Sequence, residues 1–197
     1  GKPLSVPQGI IALMTRFGMR VHLAYPAGYD LVPDIVELGT RFAAKAGGAF
    51  EVGHSMDDAF DGADIVYPKS WASFSVMKRR TTLLKARESE RLRALDEECL
   101  DQNAAFKDWQ CTETRMKMTR RGSALYMHCL PADISGVSCA QGEVEASVFE
   151  QHRTATYREA GWKPFVIAAM ILAGRVKDPC AVIEALLKHR QVRVAGD

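Results

Sequence analysis

Apolar positions recur along this chain with two different periods. Ile10, Ile11, Leu13, Met14 and Phe17 give the opening segment one helical face, with Ser5 as its candidate cap, Pro7 in its first turn and Gly18 to end it. Val21, Leu23 and Tyr25 then alternate around His22, so residues 20–25 read as a strand closed by Pro26. Ile35, Leu38 and Phe42 share a face of a helix over residues 32–46, with Asp30 as a candidate cap and Gly47-Gly48 as its stop. A short strand at 49–52, a helical turn at 56–60 and a buried strand at 63–67 follow. Strand and helix alternating in this way predict an α/β fold, a Rossmann-like doubly wound parallel sheet with helices on both faces.

The later pattern continues the theme. Residues 77–95 read as mostly helical and charged. Lys78-Arg79-Arg80 and the arginines after them interleave with Glu88, Glu90 and Asp96, which marks a solvated face rather than a nucleic-acid patch. A helix over 112–120 is capped by Thr112 and ended at Gly122. Residues 125–132, Leu-Tyr-Met-His-Cys-Leu-Pro-Ala, form a short apolar run with an aromatic and a breaker, the pattern of a buried strand. A Ser/Gly/Asp-rich loop over 132–142, a short helix at 145–151, a last strand at 153–157 and closing helices at 162–172 and 180–190 complete the prediction.

Composition narrows the class. The 197 residues suit one large domain, and 47% hydrophobic with 25% charged residues is a globular balance. A net charge of +2 gives no electrostatic footprint for nucleic acid. The longest apolar run, 165–173, falls short of the roughly 20 residues of a membrane span. The five cysteines form no Cys-x-x-Cys pair, which predicts free thiols in a reducing cytoplasm and no structural zinc. Gly-x-Gly-x-x-Gly, Walker and Gly-x-Ser-x-Gly strings are absent, so the fold alone does not imply NAD, ATP or serine-hydrolase chemistry.

Chemistry is expected where the 125–132 strand ends. Ligands of open α/β sheets bind outside the carboxyl ends of the strands, where His128, Cys129 and Leu130 fall. Pro131 has no N–H and must leave the sheet, and its bond to Leu130 is expected to be cis. Adjacent strand residues point to opposite faces, so His128 and Cys129 are not a protease dyad. By residue type alone, a plain buried thiol and a merely hydrogen-bonded imidazole stay open as readings. A second candidate is the loop Pro68-Lys69-Ser70-Trp71-Ala72-Ser73-Phe74, at the carboxyl end of the 63–67 strand.

Residues 127–131 resemble the His-Cys-Leu-Pro signature of the aspartate/ornithine carbamoyltransferase superfamily, in its ornithine-type branch. The string 128–138, the triplet Gly142-Glu143-Val144 and residues 157–164 extend the resemblance to that family's knotted members. The opening Lys2-Pro3-Leu4-Ser5-Val6-Pro7 is similar to the tail of the proline-rich loop through which those members thread their chain. The similarity covers nearly the whole chain but only the second half of the family's subunit. It implies that residues 1–197 are one domain, the amino-acid-binding half of a carbamoyltransferase. The carbamoyl-phosphate domain and the sheet's first central strand are then expected upstream of Gly1.

The resemblance also implies roles. His128, Cys129 and Leu130 are the catalytic set, with the Leu130 carbonyl holding the carbamoyl amine and Cys129 close by. Lys163 stands where the family contacts carbamoyl phosphate through an Arg, and it lacks the planar fork of a guanidinium. Lys69 stands where ornithine enzymes bind the substrate's α-ammonium with an Asp. A cation there disfavours free ornithine and suits a carboxylate or an acylated α-nitrogen. Ser70, Trp71, Ser73 and Phe74 complete the substrate loop. The implied partners are carbamoyl phosphate and a small amino or ureido acid, in a cytoplasmic homotrimer without metal or organic cofactor, membrane or nucleic acid. This chain alone is expected to be inactive. The rival readings are a non-catalytic Rossmann-like ligand-binding or assembly domain and an NAD-type dehydrogenase, the second disfavoured by the missing glycine fingerprint.

Overall fold

Up to Val66, helix and parallel strand alternate in the order that the hydrophobic pattern predicts. The computed structural model describes residues 2–189, which divide after Thr156 into two compact units. In the first unit, α1 (Ser5–Met14) passes through a 3₁₀ turn (Thr15–Phe17) to Gly18, whose φ of 70° suits the left-handed position that ends a helix. β1 (Arg20–Ala24) and β2 (Ala49–Gly53) pair in parallel, and α2 (Pro33–Ala46) is their crossover. Neither expected cap acts as one. Leu4 holds the cap position of α1, and Ser5 is already helical. Val32 precedes α2, with its N–H donated to Gln8 Oε1 at 3.2 Å, while the Asp30 carbonyl accepts the Phe74 N–H at 2.9 Å.

Beyond α3 (Met56–Phe60), capped by the Ser55 hydroxyl, β3 (Ile65–Val66) pairs in parallel with β4 (Leu125–Tyr126). Between them lie α4 (Phe74–Ala86), α5 (Ser89–Ala104) and α6 (Glu113–Met118). The segment expected as one helix over 77–95 is broken at Arg87, whose φ of 57° lies in the left-handed region. Among the described residues the α/β, Rossmann-like sheet takes the form of two parallel ladders, β1–β2 and β3–β4. The strand expected over 125–132 pairs for only two residues. Met127 N–H still donates to the Val66 carbonyl, but Leu130 N–H turns to the His128 ring and Pro131 has no donor, so the ladder ends.

The strand expected at 153–157 is not one. α7 (Ala146–Ala160) runs through it, because Val148, Phe149 and Thr156 recur at helical spacing and are buried, and the Thr156 hydroxyl donates to the His152 carbonyl at 3.0 Å. Two apolar clusters hold this unit. Leu4, Ile11, Leu23, Tyr25 and Leu31 pack around α1 and β1; Cys111, Tyr126, Val144, Val148 and Phe149 pack behind β4. Each buried aliphatic or aromatic side chain there contributes about 1.5–3 kcal/mol. The second unit holds α8 (Lys163–Arg175) and α9 (Pro179–His189). Arg190, the last residue of the expected closing helix, lies outside the described residues. Among the described residues no helix is long and apolar enough to cross a membrane.

Candidate active site

Because β3 and β4 run in parallel, their carboxyl ends open on the same edge, and both chains leave the ladder there. Glu143, in the turn before α7, joins the two. Its carboxylate accepts the Ser70 N–H at 2.7 Å, the Ser70 hydroxyl at 2.8 Å, the Asp133 N–H at 3.0 Å, the His128 Nε2–H at 2.7 Å and the Lys69 ammonium at 3.3 Å. Lys2 pairs with Asp133 and brings its ammonium to 3.9 Å from Glu143. The backbone of Glu143 is fixed as firmly as its side chain. Its N–H donates to the Asp133 carbonyl at 2.9 Å, and its own carbonyl accepts the Cys111 N–H at 2.9 Å.

The centre of this cluster is buried. The side chains of His128, Glu143 and Lys69 are 0%, 4% and 9% exposed. Burial by itself would raise the Glu143 carboxyl, but the His128 ring and the Asp133 and Ser70 donors more than offset it and hold the group well below the usual carboxylate range. His128 is engaged on its other nitrogen too, where Nδ1 accepts the Leu130 N–H at 2.9 Å. Tyr67 stacks on the imidazole at 6.1 Å between centroids and 18° between planes. Leu130 adopts a φ of 49°, and the Leu130–Pro131 peptide is cis, as expected from the sequence.

Of the residues singled out by sequence, Lys69, Ser70, His128 and Leu130 are thus brought together, and Cys129 lies half-buried between the last two. The side chains of Trp71, Ser73 and Phe74 make contacts away from Glu143. The Trp71 indole donates to the Tyr29 carbonyl at 2.8 Å and meets Tyr25 edge-on. Ser73 caps α4 by accepting the Val76 N–H, and Phe74 packs with Trp71 against the α1–β1 cluster. Lys163 opens α8 in the second unit. Sequence reading missed Glu143, Asp133 and Lys2 as site residues. The signal for Glu143 was its place in the Gly142-Glu143-Val144 triplet that extends the resemblance, just before a helix. Among the described residues no group of three or more His, Cys, Asp and Glu side chains is placed to hold a metal ion.

Two predictions arise from this packing. A Cβ on Gly142 would fall 2.1 Å from the Asp133 carbonyl oxygen and 3.0 Å from Cys139 Sγ. Gly142→Ala should therefore push the Asp133–Glu143 pairing apart and destabilise by about 1–3 kcal/mol, read as a lowered melting temperature. A variant as stable as the parent would show that this turn yields freely. The second concerns Cys111, which is fully buried and whose thiol is pushed up to about 12 by burial and then by Glu145. Iodoacetamide at mildly alkaline pH should spare Cys111 in the folded protein while labelling exposed Cys180, as peptide mass spectrometry would read out. Equal labelling of the two would contradict the packing around β4.

An α/β unit with a buried polar cluster at the carboxyl edge of paired parallel strands has the Rossmann-like arrangement in which that edge is the usual place for a ligand. Comparison makes the assignment specific. The family model described as the Asp/Orn binding domain of aspartate/ornithine carbamoyltransferase matches residues 4–173, and the chain belongs to that family. It is 62% identical over 194 residues to YgeW of Escherichia coli (strain K12), itself named only as a candidate carbamoyltransferase. That match takes in 98% of this chain and 49% of YgeW, so the chain spans about half the length of this relative. The ornithine carbamoyltransferase of Methylococcus capsulatus is 31% identical over 141 residues, 72% of this chain and 36% of the enzyme. Among solved structures, acetylornithine transcarbamylase complexed with acetylcitrulline superposes with a TM-score of 0.56 at 22% identity, over 76% of this chain and 38% of that one, a likeness of fold.

Proposed function

We propose that this chain is the amino-acid-binding half of a carbamoyltransferase, acting on carbamoyl phosphate and an amino or ureido acid other than free ornithine. The observation that carries the proposal is the convergence of the Lys69-Ser70 loop and the His128-Cys129-Leu130 turn on Glu143 at one sheet edge. Carbamoyl transfer needs a planar carbonyl held and polarised, an unprotonated amine placed against it and a phosphate group stabilised as it leaves. The Leu130 carbonyl accepts from the carbamoyl amine, with Cys129 beside it. Lys163 supplies positive charge for carbamoyl phosphate. The acceptor nitrogen attacks the carbonyl carbon, the C–O bond breaks with its electron pair leaving on phosphate, and the nitrogen's proton passes to that leaving phosphate.

The acceptor preference follows from charge. An α-ammonium seeks a carboxylate, and the acid nearest this loop, Glu143, is already saturated by N–H and O–H donors and by Lys69. An acylated or carbamoylated α-nitrogen carries no charge and makes no such demand. The proposal includes the remaining features implied by the resemblance: a carbamoyl-phosphate domain in a separate part of the intact protein, a knotted chain, a cytoplasmic homotrimer, and no metal or organic cofactor.

The test is a turnover assay on the intact protein with carbamoyl phosphate and a panel of ornithine, N-acetylornithine, N-succinylornithine and simple amino acids. The reverse reaction is followed with ureido acids and phosphate. Turnover with an N-acylated or ureido acid at least about tenfold above ornithine, a difference of about 1.4 kcal/mol, supports the reading. Brisk ornithine turnover would overturn the specificity, and no carbamoyl transfer in either direction would overturn the activity.

A further inference from the structure

We infer that His128 is a positioning residue, which Glu143 locks in one tautomer so that the imidazole can hold the Leu130 backbone. The inference deepens the carbamoyltransferase reading and rests on it for the role of Leu130. A backbone N–H can only donate, so the 2.9 Å contact from Leu130 N to His128 Nδ1 requires a lone pair on Nδ1. The ring proton of the neutral imidazole is then on Nε2, where the ionised Glu143 oxygen at 2.7 Å accepts it.

Both ring positions are therefore committed. A proton added at Nδ1 would face the Leu130 N–H, donor against donor. Use of His128 as an acid or base would break the bond that holds Leu130. What that bond holds is unusual for leucine, a left-handed φ of 49° at the residue whose carbonyl follows the turn out of the ladder. Full burial of the imidazole and the stacked Tyr67 ring prevent it from rotating away. Glu143 is in turn set by donors from residues 69–70 and 133, so the orientation of the substrate loop and that of Leu130 share one anchor.

Two substitutions separate the edges of the ring. In His128→Asn the side-chain oxygen can stand near the Nδ1 position and accept the Leu130 N–H, but it does not reach Glu143. In His128→Gln the amide can reach Glu143 from the Nε2 side, but it offers Leu130 no acceptor at the Nδ1 position. With the intact protein and its best acceptor acid, His128→Asn should stay within about tenfold of the parent kcat, whereas His128→Gln should lose about 10²-fold, the scale of a misplacement near 1 Å. The opposite order, or equal losses, overturns the inference. Selective ¹⁵N-histidine NMR of the unmodified intact protein reads the tautomer directly and does not depend on either variant folding. A proton on Nε2 with Nδ1 bare is expected, and a proton on Nδ1 overturns the inference. Absence of carbamoyl transfer in the parent protein would defeat the functional reading while leaving the tautomer result standing.

Discussion

Glu143→Ala should lower the stability of the intact protein by about 3–5 kcal/mol, the usual loss when one partner of a buried charge pair is removed and the other is left uncompensated. The stranded groups are specific: the Lys69 ammonium, 9% exposed, the His128 Nε2–H, 0% exposed, and the Ser70 and Asp133 N–H donors. Denaturant melts of parent and variant measure the difference, and a loss below about 1 kcal/mol would mean that water takes over these donors without strain. The same carboxylate sets an acid limb. Its native pKa is depressed relative to an unfolded value near 4.3, so its contribution is complete above that value and is lost as pH falls toward the native one. Between about pH 5 and pH 3 the parent should therefore lose stability more steeply than Glu143→Ala, whose acid limb lacks this contribution. Parallel acid limbs would show that Glu143 is not depressed in the folded chain.

Lys69→Asp should be the second severe change, through the fold rather than through substrate choice. The resemblance implies that this position faces the substrate, where the charge of Lys69 disfavours ornithine. In the folded chain Lys69 faces Glu143 at 3.3 Å, so Lys69→Asp would set two carboxylates against each other in a buried cluster. A loss of about 3–5 kcal/mol is expected, with no gain in ornithine turnover. Lys69→Met keeps the stem, adds no like charge and leaves Glu143 its other donors, so it should cost clearly less. Ornithine turnover gained by a stable Lys69→Asp protein would give this side chain a direct part in substrate choice.

The two positions show what could be read from the sequence and what could not. The parallel α/β order was legible because its evidence is local: Val21, Leu23 and Tyr25 alternate, Ile35, Leu38 and Phe42 recur at helical spacing, and Gly18 and Gly47 punctuate them. The 153–157 segment misled for the same reason. Thr154, Thr156 and Tyr157 have strand propensity, but Val148 and Phe149 upstream set a helical face that carried the segment with it. At the site, the His128-Cys129-Leu130 string and the Lys69-Ser70 loop were legible as strand ends. Their common partner was not, because Glu143 lies 73 residues from Ser70 and 15 from His128, and nothing periodic links such distances. Trp71, Ser73 and Phe74 entered the site reading through the resemblance, and in the folded chain their side chains donate to the Tyr29 carbonyl, cap α4 or pack against the α1–β1 cluster.

The span of those contacts bears on how the protein comes to be folded. Pairing β3 with β4 brings Ile65 to Leu125, and the Glu143 cluster then needs residues 69–70, 128 and 133 in place at once. Closing loops of that length costs chain entropy before any of the new bonds returns it, so contacts of this kind form late and slowly. The α1–α2 helices and the β1–β2 ladder, joined by shorter connections, can assemble before them. The contacts that organise the site are therefore expected to close after those of the α1–β2 segment.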